Sequence, residues 1–266
     1  MRRHLITLLA VMSVLVAGDV GRTWADFGTN ITISDLNYDG TAWHGDYEDQ
    51  EVEPGVTDGQ QWDLEGFYLD GTQLAMVGGF DFVNGQDEGG HWDAGDIFVD
   101  IDGDAVYGDI HSGTNGNRTV QNTFGYDYVL DLNFSSLTYE VRALNADSRT
   151  QTAYYAENQG SSPWRYYDGG VLTGTGSIGY ATGVSDADAS LLGGLHNAVI
   201  IDTPFLPWST NDITVHFTYQ SGADNLMGHH AAVPVPGAVV LGVLGLSSSG
   251  WLIRRRQRKG LDVTIG

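Results

Sequence analysis

Between residues 26 and 219 the apolar positions recur mainly with a period of two. Leu137, Tyr139 and Val141 alternate with Thr138, Glu140 and Arg142, and Ile213, Val215, Phe217 and Tyr219 alternate with Thr214, His216 and Thr218. Further strands are predicted over 31–33, 62–69, 74–82, 96–101, 126–132 and 198–201. Pairs of Asx and Gly punctuate the runs: Asp70-Gly71, Asn84-Gly85, Asp102-Gly103, Asn115-Gly116 and Asp168-Gly169. No apolar pattern of helical period extends over ten residues in this region. Many short strands divided by such turns predict an all-β fold, an antiparallel β-sandwich of jelly-roll-like type over residues 26–221. The polar stretch 145–162 reads as loop and residues 222–232 as a linker. Gly174-Thr175-Gly176-Ser177-Ile178-Gly179 matches a dinucleotide-binding spacing, but it opens no helix and reads as a turn.

The two ends break the pattern. Met1-Arg2-Arg3-His4 precedes an uninterrupted apolar run over 5–17, the layout of a secretory signal peptide helix, with small-residue cleavage expected after Ala25. That run is shorter than the roughly 20 residues a membrane span needs. At the other end, Val233-Pro234-Val235-Pro236-Gly237-Ala238 leads into an apolar stretch over 239–253. Arg254-Arg255-Arg256-Gln257-Arg258-Lys259 then closes it. An apolar segment stopped by a basic cluster predicts a C-terminal transmembrane helix with its charged end inside. The expected organisation is a signal peptide (1–25), a β-domain (26–221), a linker (222–232), an anchor (233–259) and a tail (260–266). The protein is expected to be exported, membrane-anchored and then found at the cell surface or outside the cell.

This C-terminal segment resembles the PEP-CTERM sorting signal of Gram-negative bacteria. The resemblance rests on Val233, Pro234, Pro236, Gly237 and Ala238, followed by the short apolar segment and Arg254, Arg255 and Arg256. Val235 stands where that signal carries its name-giving glutamate. The resemblance implies a secretion translocon and an exosortase-type membrane protease as partners. The motifs around 62–69, 77–82 and 95–104, and the strand running into Ser221-Gly222-Ala223-Asp224-Asn225, look like a domain of exported bacterial proteins with the same signal. That family implies no enzymatic activity.

Charge narrows the partners. Eight of the 12 basic residues lie in the two ends, leaving Arg118, Arg142, Arg149 and Arg165 in the middle. All but Asp19 and Asp262 of the 34 acidic residues lie there too. So acidic a body repels nucleic acid and attracts divalent cations. The chain has no cysteine, which excludes disulfides and thiolate metal sites.

Candidate chemistry centres on the run from Asp96 to Asp104. With strand periodicity, Ile97, Val99 and Ile101 face a core, while Asp96, Phe98, Asp100 and Asp102 face the other way. Asp104 follows the Gly103 turn. On a second strand Asp127, Asp131 and Asn133 share a face, and pairing of the two strands would let both acidic faces line one Ca²⁺ site. It is not an EF-hand, because Gly103 falls at loop position 4 and His111 at position 12. Trp164, Tyr166 and Tyr167 are candidate stacking residues for a glycan such as exopolysaccharide. Glu51 with Glu53, or Asp63 with Glu65, are candidate paired acids of a glycosidase, and His229-His230 is a candidate transition-metal pair. No nucleophile elbow, phosphate-binding loop or zinc-protease helix is present. The sequence therefore points to a non-enzymatic surface or extracellular-matrix protein stabilised by Ca²⁺, with a carbohydrate-binding module as the alternative.

Overall fold

The computed structural model describes residues 27–34, 48–52, 59–106, 116–154 and 161–232. The expected signal peptide and sorting segment, with Val233, Pro234, Pro236, Gly237, Ala238 and Arg254–Arg256, lie outside the described residues. Among the described residues no helix is long and apolar enough to cross a membrane.

Sixteen strands form the described body. In chain order they are β1 (Thr29–Asn30), β2 (Thr32–Ile33), β3 (Leu64–Asp70), β4 (Gln73–Gly78), β5 (Gln86–Asp87), β6 (His91–Trp92), β7 (Ile97–Asp100), β8 (Thr119–Gln121), β9 (Tyr128–Asn133), β10 (Thr138–Ala143), β11 (Arg149–Gln151), β12 (Arg165–Asp168), β13 (Val171–Val184), β14 (His196–Asp202), β15 (Ile213–Thr218) and β16 (Asn225–His230). A 3₁₀ turn at Gln60–Trp62 and one helical turn, α1 (Asp186–Ala189), are the helical elements described.

Eleven strands make one sheet in the order β1-β3-β4-β14-β13-β10-β9-β7-β15-β16-β2, every pair antiparallel. Its first and last strands belong to one short segment, so the sheet rolls until both edges meet there. The Ile31 N–H donates to the Phe67 carbonyl at 2.9 Å, and the Ile31 carbonyl accepts from His229 N–H at 2.7 Å. Closure removes the open edges that an extended sheet would leave. Inside lies the main core, built from alternate residues: Leu64, Phe67 and Leu69 of β3, Ile97 and Val99 of β7, Ile213, Val215 and Phe217 of β15, and Leu226 of β16. Phe80 stacks on Tyr219 at 4.5 Å between centroids, and Phe82 meets Phe217 edge-on. A second sheet, β12-β11-β8, covers the outer face of β7 and β9 and buries Phe98, Phe124, Tyr126, Val129 and Tyr166.

Three stretches depart from their expected roles. Residues 225–230 are a core strand rather than a linker, because Leu226 is fully buried and β16 joins β15 to β2. His229 and His230 therefore belong to that strand and not to a free linker. The stretch 145–162 contains β11, the middle strand of the covering sheet. The 174–179 segment is strand rather than turn. A Cβ at Gly176 would stand 2.4 Å from the Tyr139 ring, so the glycine lets that ring lie across β13.

Candidate functional site

The two acidic strands do pair. In the antiparallel ladder Ile97 faces Leu130 and Val99 faces Tyr128, which places Asp96 beside Asp131 and Asp100 beside Asp127. The expected single site is thereby divided. Asp96 and Asp100 sit at the two ends of β7, roughly 13 Å apart at strand rise, beyond the span of one ion.

At one end Asp96 is buried. Its Oδ1 accepts the Leu132 N–H and its Oδ2 the Tyr166 N–H, both at 2.8 Å. Burial pushes its carboxyl up to about 7; the charge of Asp131 adds to this, and the two N–H donors and Arg165 pull it back. Asp131 instead faces Arg142 at 4.0 Å. At the other end Asp100 is buried in a turn. Its Oδ1 accepts from Asp102 N–H at 3.1 Å and Gly103 N–H at 2.8 Å, and its Oδ2 from Ala105 N–H at 3.3 Å. Carboxylate oxygens of Asp100, Asp102 and Asp104 come within 4.8 Å of one another. Asp127 accepts the Ile101 N–H at 2.8 Å beside them. Asp102 raises the pKa of the exposed Asp104, and burial, then Asp102, Asp100 and Asp104, raise that of Asp127. Four of the six predicted residues thus gather at this turn, and Asp96 and Asp131 do not.

A deeper acidic group lies at the opposite end of β15, where the chain turns into β16. Asp63 follows the 3₁₀ turn, and Glu65 is the extra residue of a bulge in β3, where Leu64 pairs with Gly78 and Gly66 with Val77. The turn is seated by close packing, since a Cβ at Gly79 would stand 1.7 Å from the Gln60 carbonyl oxygen. Glu48, Glu51, Asp63, Glu65 and Asp224 are all buried here. Asp63 Oδ2 accepts the Gln50 N–H at 2.9 Å, Asp224 Oδ2 the Leu64 N–H at 2.6 Å, and Asp49 the Leu192 N–H at 3.2 Å. Among the described residues the basic side chain hydrogen-bonded into this group is His196. Its Nδ1 lies 2.6 Å from Glu65 Oε2, and its Nε2 lies 3.0 Å from Asp186 Oδ1. Gln60 Nε2 donates to Glu65 Oε1 at 2.7 Å.

Burial pushes the carboxyls of Asp63 and Asp224 well above the usual range. Glu65 adds to the shift of Asp63; Glu51, Asp63 and Glu48 add to that of Asp224. Glu65 is raised by burial against the pull of His196 and Gln60. Burial opposes charge on His196, but Glu65 and Asp186 outweigh it and favour the imidazolium. Sequence reading had flagged Asp63 with Glu65 and also Glu51. It missed Asp49, two residues before Glu51, and also Asp224 and His196, which lie far along the chain. Glu53 lies outside the described residues.

No family model, curated protein or solved structure matches this chain.

The aromatic expectation needs correction. Trp164 and Tyr166 are buried under the covering sheet, and only Tyr167 is exposed, with Arg149 over its ring. Tyr166 and Tyr167 sit in β12 and Trp164 directly precedes it, so alternate rings turn inward, and a sugar cannot stack on the buried Trp164. Aromatic surface gathers elsewhere, in a cavity of about 350 Å³ lined by Trp62, Glu88, Trp92, Tyr154, Ser221 and Ala223. The Trp92 and Tyr154 ring centroids are 5.3 Å apart, and Trp92 Nε1 donates to the Glu88 carbonyl at 2.9 Å.

Proposed function

We propose that the chain is an exported surface or extracellular-matrix protein whose β-body is displayed rather than catalytic. In this reading a signal peptide directs it to the secretion translocon, and the PEP-CTERM-type segment holds it in the membrane for an exosortase-type enzyme. The body is a flattened, jelly-roll-like sandwich. Its β13 runs from a ladder with β10 to one with β14, and the segment Thr29–Ile33 changes partners likewise at the other edge. Ca²⁺ at the Asp100, Asp102, Asp104 and Asp127 turn stiffens it.

The observation that carries this reading is the closure of the sheet, among the described residues, by strands that lie between Thr29 and His230. Among the described residues the ladder lies wholly between the two apolar terminal segments, which supports reading those segments as addresses. A glycosidase requires two carboxyls flanking an open bond, whereas Asp63 and Glu65 are buried, with Gln50 on Asp63 Oδ2 and with Gln60 and His196 on the two oxygens of Glu65. Cell fractionation tests the proposal. The full chain is expected in the envelope or the medium, and a chain lacking residues 233–266 is expected to lose membrane association. A cytosolic full chain contradicts it.

The second reading, a carbohydrate-binding module for exopolysaccharide or envelope glycan, rests on the Trp62–Trp92–Tyr154 cavity. Aromatic faces beside a carboxylate suit sugar rings and hydroxyls. On a glycan array, saturable binding lost in Trp92→Ala but kept in Tyr167→Ala supports it. The absence of saturable binding removes it.

A further inference from the structure

We infer that Asp49, Asp63 and Glu65 form a second divalent-cation site, separate from the Asp100 turn and suited to Ca²⁺. Carboxylate oxygens of the three residues lie within 4.8 Å of one another, with Asp63 and Glu65 buried and Asp49 half-buried. The cluster alone would not argue for an ion; the state of Asp63 does. Its side chain is fully buried, its Oδ2 takes the Gln50 N–H, and its Oδ1 makes no full hydrogen bond, the Glu51 N–H adding only a weaker pull on the carboxyl. A buried carboxylate oxygen left in that state is costly. The cost grows with Glu65 and Asp49 alongside, and the charge of Asp224 couples to Asp63 as well. A cation among the three supplies the missing partner and offsets the repulsion at once.

The donor set selects the class of ion. Both ring nitrogens of His196 are engaged, one with Glu65 and one with Asp186, so the group offers oxygens only. Oxygen donors suit Ca²⁺ and Mg²⁺ rather than Zn²⁺ or Cu²⁺. These carboxylates are fixed by a bulge, a 3₁₀ turn and backbone N–H groups from separate loops. Such irregular placement suits the variable coordination of Ca²⁺ better than the strict octahedron of Mg²⁺. The chain on either side also joins this site to the aromatic cavity, because the lining residues Trp62 and Ala223 directly precede Asp63 and Asp224. The inference does not depend on the surface-display reading.

The test uses the purified full chain, stripped with chelator and titrated with CaCl₂ alone, followed by calorimetry and thermal melting. Wild type is expected to bind Ca²⁺ and to melt several degrees higher at millimolar Ca²⁺. Asp63→Asn is expected to lose at least two thirds of that rise. In chelator it is expected to melt at or above wild type, because the amide keeps the acceptor for Gln50 and can donate to the neighbouring carboxylates. Asp49→Asn, at the half-exposed edge, serves as the second variant should Asp63→Asn fold poorly. Asp102→Asn/Asp104→Asn, which disables the turn, is expected to retain the larger part of the rise. The inference is overturned if Ca²⁺ leaves wild type unmoved, if both Asp63→Asn and Asp49→Asn respond as wild type does, or if only the turn variant loses the response.

Discussion

Asp96 shows how a single residue sets a pH dependence. Its carboxyl is packed between β9 and β12, with Asp131, Arg142, Arg165 and Tyr166 as its charged and titratable surroundings. The folded chain holds the proton up to about pH 7, whereas an unfolded chain releases it near the ordinary 3.8. A raised folded pKa means that the contribution is complete below about pH 3.8 and is lost as pH rises through about 7. Asp96→Asn, melted in chelator from pH 4 to 7.5, should vary less than wild type by up to about 4 kcal/mol. An unchanged slope would place the titration elsewhere. The residue scale is also where the sequence was least legible. Alternation correctly put Asp96, Phe98 and Asp100 on the face opposite Ile97 and Val99. It could not tell that this face is covered by β8, β11 and β12, which turns a solvated acidic stripe into buried acids and hides Trp164.

Elements with strong alternation were readable; those held by their neighbours were not. β15 and β10 follow their apolar periods almost to the residue. β13 carries four glycines and exposes Val171 and Leu172, so its local signal is turn-like, and its identity comes from ladders on both sides. β16 is brief and ends in two histidines, yet Leu226 anchors it. Asp224 and His196 reach Asp63 and Glu65 only through such long-range pairings, which no spacing along the chain encodes. The seat of the 3₁₀ turn offers an element-scale test. Gly79→Ala drives a methyl into the Gln60 carbonyl and displaces the turn that carries Trp62 and Asp63. The melting temperature should fall by roughly 2–10 °C, given overpacking costs of about 1–3 kcal/mol. Gly174→Ala, whose Cβ would meet Val141 at 3.7 Å, should cost much less. Equal effects would mean that the turn yields to the methyl without cost.

For the whole molecule, closure and charge work in opposite directions. The rolled sheet seals its edges through Ile31 and encloses an aromatic core. Around that core the body carries four basic residues against nearly all of the chain's acids, a self-repulsion that cations or salt relieve. Under the proposed display outside a cell, such a body stays dispersed and needs a separate device to hold it there. In the proposed reading that device is the pair of apolar segments bordered by arginines, 5–17 and 239–253. Mass spectrometry of both termini of the native protein, recovered from separated cell fractions, tests this most directly. The account predicts envelope or extracellular material that begins near Asp26 and is either membrane-held through residues 233–259 or cut near Pro234–Gly237. A cytosolic protein retaining Met1 and Gly266 would contradict it.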